Sequence, residues 1–291
     1  MPETRQPKKD QKIPEMNNFA VRTLSGAVFL AVMVFCIIWD RMLFGALFLL
    51  VLYFALREFY AVSLGARFAF QQKLALLAGA AAFVLVCCHC FYGMKASYIS
   101  LSLVPLLLIP MFSVFEGVRE DFADLSMLYT GLLYIALPIA LSPLIMMDGD
   151  IYDGWTMLSF FIVIWVSDVG AYCLGTLFGQ KEGSRKLAPE ISPKKSWWGF
   201  WSGLAFALAA AAGLHFWLWA DIPLVHCLVL GAIISVAGVC GDLFESQWKR
   251  HYHVKDSGSI IPGHGGMLDR FDSSLVAIPA AAVYLTAFGL L

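Results

Sequence analysis

The chain has 291 residues, of which 60% are hydrophobic and only 14% charged, with a mean hydropathy of +0.75; that composition excludes an ordinary soluble domain. Its formal net charge of -1 gives no support to nucleic-acid binding, which normally shows a basic excess. A closed barrel is disfavoured because its strands would alternate apolar and polar residues, whereas the runs here are apolar on every face.

The first 23 residues mix Lys, Glu, Gln and Pro without periodicity. They read as a disordered cytosolic tail (1–23) rather than a cleavable signal, because no short apolar core with a small-residue cleavage site follows the charges. Nine apolar runs come next, at about 24–39, 42–56, 74–91, 98–115, 125–147, 155–178, 197–220, 224–241 and 273–291. A bilayer core of about 30 Å takes roughly 17 to 25 apolar residues per helix. The expectation is therefore an all-α polytopic membrane protein of about nine transmembrane helices, the second of them short. Residues 24–147 form five N-terminal spans, and 148–291 form a C-terminal region with cytosolic loops at 179–196 and 242–272. Pro138 and Pro143 should kink the fifth span. In the third span, Cys87-Cys88-His89-Cys90 suggests a metal site, but adjacent helical residues point about 100° apart and cannot close one tetrahedron. Small apolar filling is the simpler reading. His215 and His226 sit near the outer ends of their spans and read as interfacial.

Charge fixes the expected orientation. With an odd number of spans and a cytosolic N-terminus, the inner segments hold Arg5, Lys8, Lys9, Lys12 and Arg22; Arg57, Arg67 and Lys73; Arg119; Lys181, Arg185, Lys186, Lys194 and Lys195; and Lys249, Arg250, Lys255 and Arg270. Only Arg41 and Lys95 fall outside, and the connection at 148–154 carries three aspartates and no base. The positive-inside rule thus places the C-terminus outside.

Polar chemistry collects late in the chain. Asp168 lies about 15 Å from the inner end of the sixth span at 1.5 Å per residue, a depth at which an ionisable group needs a polar cavity or a partner. A packing aspartate bonded to a neighbouring span is the bland alternative. Gly170, Gly175 and Gly179 permit close helix approach, and Lys194 and Lys195 precede the seventh span; paired lysines there are usually topology signals or lipid contacts. If the eighth span continues as a helix, Asp242, Glu245, Ser246 and Lys249 share one face at i, i+3, i+4 and i+7. Asp269 and Asp272 form a second pair where the ninth span should begin, with Arg270 between them. Carboxylate-bearing helix ends joined by a Gly/Ser-rich loop suit a hard cation and a polyphosphate, although no Walker A or dinucleotide fingerprint is present. The alternative is a solvated loop of ordinary surface charges.

The run Ser246-x-x-Lys249-Arg250, Lys255-Asp256-x-Gly258, Pro262-x-His264-Gly265-Gly266-x-x-Asp269-Arg270-x-Asp272 resembles the signature of phosphatidate cytidylyltransferases, the CDP-diacylglycerol synthases. Ser167-Asp168-x-Gly170-Ala171-Tyr172 and Ser192-Pro193-Lys194-Lys195 resemble that family too. The likeness is close from about Val166 to the C-terminus, and earlier spans share only hydropathy. One departure stands out: the family usually follows the paired lysines with Thr-Trp-Glu-Gly, where this chain has Ser196-Trp197-Trp198-Gly199. Glu245 is the candidate for any role held by that glutamate.

The resemblance implies an enzyme of phospholipid biosynthesis that converts CTP and phosphatidate to CDP-diacylglycerol and pyrophosphate with Mg²⁺. It would sit in a bacterial cytoplasmic membrane, drawing phosphatidate from the inner leaflet and facing the cytosol. A homodimer is in keeping with the resemblance alone. Asp242 and Asp269 are expected as Mg²⁺ ligands, with Asp256 and Asp272 in support. Lys249, Arg250, Lys255 and Arg270 would hold triphosphate or lipid phosphate, and Lys194 and Lys195 the head group or nucleotide. His264 would orient a phosphate or protonate the leaving group; Asp168, Ser246, Gly265 and Gly266 complete the expected binding set. A CTP-dependent lipid kinase is a rival reading. A transporter is a weaker one, because the polar residues gather at one face and in one half of the chain.

Overall fold

Long apolar runs leave every backbone N–H and C=O to be satisfied within its own segment, and in hydrocarbon that means helix. The computed structural model describes residues 15–115, 122–148 and 151–290, with side chains from Ala20 onward. Its helices are α1 (Glu15–Trp39), α2 (Arg41–Ser63), α3 (Ala69–Tyr92), α4 (Leu103–Ser113), α5 (Phe122–Gly131), α6 (Leu137–Leu141), α7 (Gly154–Gly179), α8 (Trp197–His215), α9 (Leu224–His251), α10 (Leu268–Phe271) and α11 (Ser274–Ala287). Among the described residues, eight helical stretches are long and apolar enough to cross a membrane. The protein is an all-α polytopic membrane protein.

Several boundaries differ from expectation. Helix α1 begins at Glu15, inside the expected tail; residues 1–14 lie outside the described residues, as do Arg119 and Asp150 of the charge pattern. Helix α2 runs on to Ser63 and takes Arg57 and Glu58 into the helix, because Trp248 and the loop before α10 supply partners for its C-terminal end. The ninth run yields α11 of 14 residues, shorter than the expected 273–291. Span five is one bent element, Phe122–Met146. A π-turn at Leu132–Ala136 and a 3₁₀ turn at Ser142–Met146 accommodate Pro138 and Pro143, which have no N–H for the helical ladder.

Two short hairpins interrupt the helices. Strands β1 (Met147–Asp148) and β2 (Ile151–Tyr152) precede α7, and β3 (Lys186–Ala188) pairs antiparallel with β4 (Ser192–Ser196) before α8. Pro193 favours an extended Ser192, so the paired lysines ride on a strand.

Gly170, Gly175 and Gly179 permit the close approach of α7 to Phe206, Gly199 and Ser196, and Gly203 of α8 adds to it. A Cβ on Gly203 would lie 3.0 Å from the Ser167 carbonyl, and one on Gly175 3.1 Å from the Gly199 Cα. Within the core, Phe271 meets Phe48 and Phe161 edge-on at 6.0 and 6.1 Å. Phe59 stacks on Trp248 at 5.1 Å, and the Trp248 indole donates to Ser63 at 3.0 Å. These contacts fasten α2 to α9 and α10, which carry Asp242, Lys249, Asp269 and Arg270. His215 and His226 are structural here: their Nδ1 atoms pair with the Ile222 carbonyl and the Tyr284 hydroxyl.

Candidate active site

Helix α9 continues past Asp242 to His251, and the face read from the sequence exists. The Ser246 hydroxyl donates to Asp242 at 3.3 Å, and Lys249 forms an ion pair with the buried Glu245. Lys249 also reaches Asp269 at 2.7 Å. The other oxygen of Asp269 accepts from the Ser257 N–H (2.9 Å), the Ser257 hydroxyl (3.0 Å) and the Gly266 N–H (2.8 Å). Asp269 therefore ties the loop after α9 to the helix that precedes it. Burial alone would raise its pKa, but Lys249 and the Gly266 N–H more than offset that, and the carboxyl titrates below the usual range. Asp272, at the foot of α11, shifts the other way, through burial and then the neighbouring Asp242 charge.

Two cavities open beside this cluster. One, of about 390 Å³, is walled by Asp168, Asp242, Asp269 and Asp272 with His264 and Arg270, and by Gly26, Phe29 and Leu30 of α1. The second, of about 560 Å³, is mostly apolar, with Tyr172, Leu187, Phe200 and Val239 beside Lys194, Lys195 and Gln180. Asp168 and Asp242 belong to both walls. The Lys195 ammonium pairs with Asp242 at 2.5 Å across that boundary.

The structure thus brings Asp168, Asp242, Asp269, Asp272, His264 and Arg270 to one cavity and Lys194 and Lys195 to the other. Other expected residues stand elsewhere. Lys255 and Asp256 are exposed and line neither cavity. Arg250 is exposed and turns toward the Ile191 carbonyl at 3.4 Å. Lys249 is held between two carboxylates rather than presented to a phosphate. Gly266, expected in the binding set, donates its N–H to Asp269. Glu245 is buried and lines neither cavity, and Trp198 packs on Phe178 at 5.6 Å.

Two contributions from the N-terminal half escaped the sequence reading. From α1, Arg22 donates to the Gly263 carbonyl and Ser25 to the Pro262 carbonyl, each at 2.8 Å, and Ser25 lies 3.0 Å from His264 Nδ1. From α2, the buried carboxylate of Glu58 accepts from the Ser257 hydroxyl and from the N–H groups of Met267 and Leu268, each at 2.9 Å. The available signal was an ionisable residue at the end of an apolar run, which alone reads as a boundary charge.

For a cation, the donor set is oxygen-only. Among the described residues no three His, Cys, Asp or Glu side chains form a closed metal cage. Asp168, Asp242 and Asp272 instead line one cavity wall by wall. That fits Mg²⁺, which is commonly held by one or two carboxylates with substrate phosphates completing its shell.

A family model described as the cytidylyltransferase family matches residues 20–288. The chain belongs to the cytidylyltransferase family. Both halves of the site fall within the match, including Ser25 and Glu58. Similar proteins named phosphatidate cytidylyltransferase occur in Bacillus subtilis (47% identical over 127 residues, 44% of this chain and 46% of that protein), in Rickettsia bellii (34% over 191 residues, 61% and 79%) and in Staphylococcus haemolyticus (36% over 174 residues, 60% and 64%). The chain spans about half the length of the Bacillus relative.

Proposed function

We propose that this cytidylyltransferase-family member moves the cytidylyl group of CTP onto phosphatidate, giving CDP-diacylglycerol and pyrophosphate. The observation that carries this reading is the wall shared by the two cavities. A carboxylate-rich, polar chamber suited to a cation-bound triphosphate adjoins a largely apolar one with two lysines suited to a lipid phosphate, and Asp168 and Asp242 stand between them. The relatives' names agree with these substrates.

In this reading a phosphate oxygen of phosphatidate attacks the α-phosphorus of CTP in line with departing pyrophosphate. The lipid phosphate has a second pKa near 6 and is largely dianionic at neutral pH, so no strong base is needed. The main obstacle is the approach of two anions. Lys194 and Lys195 draw in the lipid phosphate, and Arg270 neutralises the triphosphate from the opposite side. Bound Mg²⁺, held by Asp242 and Asp168 with substrate phosphates completing its shell, would supply charge neutralisation and clamp the phosphates. Asp269 borders the chamber, and its contacts to Lys249, Ser257 and Gly266 give it the task of fixing the loop. Ser25 orients the His264 ring toward a phosphate.

The excess of basic residues on one side of the spans supports a cytosolic site, where CTP is available, with phosphatidate drawn from the adjoining leaflet. Purified protein supplied with CTP and phosphatidate should release pyrophosphate, and omission of either substrate or addition of a chelator should stop it. Absence of pyrophosphate with both substrates and Mg²⁺ present would overturn the proposal.

A further inference from the structure

We infer that Glu58 of α2 is a positioning residue for the nucleotide side of the site, acting through the loop from Ser257 to Leu268. The inference rests on the proposed cytidylyl transfer for its kinetic consequence but on geometry alone for the contact.

A carboxylate buried to this degree is costly unless its oxygens are satisfied. Among the described residues no ion pair reaches Glu58; its partners are a hydroxyl and two backbone N–H groups. Oε1 accepts from Met267, and Oε2 accepts from Leu268 and Ser257. Met267 and Leu268 begin the turn that places Asp269 and Arg270 at the cavity. The Ser257 hydroxyl lies between Glu58 (2.9 Å) and Asp269 (3.0 Å), so its single proton is divided between two carboxylates. Two glycines of the loop are explained by the same residue. A Cβ on Gly258 would lie 2.5 Å from Glu58 Oε1, and one on Gly266 would run into both Glu58 Oε2 and the Ser257 hydroxyl. The loop is thus shaped around a side chain from the N-terminal half of the protein.

Glu58→Gln is the informative change. It keeps the volume but puts an amide NH₂ where an acceptor stood, and both oxygen positions face donors. At least one backbone N–H is then left buried without an acceptor. In the full-length variant in detergent, the KM for CTP should rise about tenfold, as expected for one lost hydrogen bond to a charged group. The KM for phosphatidate should stay within about twofold. A general structural role would instead lower the active fraction, reducing kcat and leaving both KM values alone. Amide hydrogen exchange gives a readout that needs no activity: Met267 and Leu268 should be protected in the wild type and lose protection in Glu58→Gln. If the variant does not fold, the wild-type measurement still decides, since unprotected amides at Met267 and Leu268 would overturn the assignment. So would a folded variant with unchanged protection or an unchanged KM for CTP. A wild type that protects both amides but releases no pyrophosphate would instead remove the proposed reaction and leave the contact standing.

Discussion

At the scale of single residues, Asp269 is a carboxylate whose contacts are made to the protein itself. It receives three hydrogen bonds from Ser257 and Gly266 and an ion pair from Lys249. Asp269→Asn replaces one acceptor oxygen with a donor and should lower turnover by at least about a hundredfold, comparable to losing a fixed hydrogen bond in an active site, while the protein still inserts and folds. Near-normal turnover would remove Asp269 from the site. Its pKa adds a second consequence. A carboxyl depressed on folding contributes stability that is fully present above its unfolded value of about 3.9 and is lost as pH falls through the lower folded value. Acid unfolding of the solubilised wild type should therefore steepen below about pH 4, and the asparagine variant should show a shallower acid transition; matching transitions would contradict this. The motif around Asp269 was legible because its polar residues are contiguous in an apolar chain. Glu58 was not, since Ser257 lies 199 residues away and nothing local distinguishes the glutamate from a boundary charge. The packing at Gly266 was hidden for a related reason: sequence reports a missing side chain but not that Ser257 and Glu58 fill the space.

At the scale of elements, the site depends on how closely α9 and α11 approach. A Cβ on Gly241 would run into the Asp272 carbonyl and lie 3.2 Å from the Ser273 Cα. Backbone cannot swing aside as a long side chain can, so Gly241→Ala should separate α9 from the start of α11. Thermal unfolding in detergent should show a loss of about 1–3 kcal/mol, and Asp272 should move away from Asp242 with a matching loss of activity. Unaltered stability would mean that the two helices are less tightly apposed. The face on α9 was legible because its positions repeat at i, i+3, i+4 and i+7, a helical period that needs no tertiary information. The β3–β4 hairpin was not, because strands of three and five residues, one of them Ser-Pro-Lys-Lys-Ser, carry too little pattern to separate from a loop.

At the scale of the whole molecule, hydropathy alone made the polytopic helical architecture legible. Boundaries were less so, since the C-terminal ends of α2 and α9 extend beyond their apolar runs to be held by each other and by the loop before α10. The orientation is open to direct test. In a background with the exposed Cys173 and Cys240 replaced, a cysteine at Lys181 should be blocked by an impermeant reagent only from the cytosolic side. A cysteine at Asp221, in the connection between α8 and α9, should be blocked only from the other side, and the reverse pattern would invert the topology. The chemistry is tested most directly by following the phosphorus atoms of CTP in the presence of phosphatidate and Mg²⁺. Label in the α position should enter the lipid while label in the γ position leaves as pyrophosphate; γ-label entering the lipid, with α-label remaining in a water-soluble cytidine diphosphate, would contradict cytidylyl transfer and make the protein a lipid kinase.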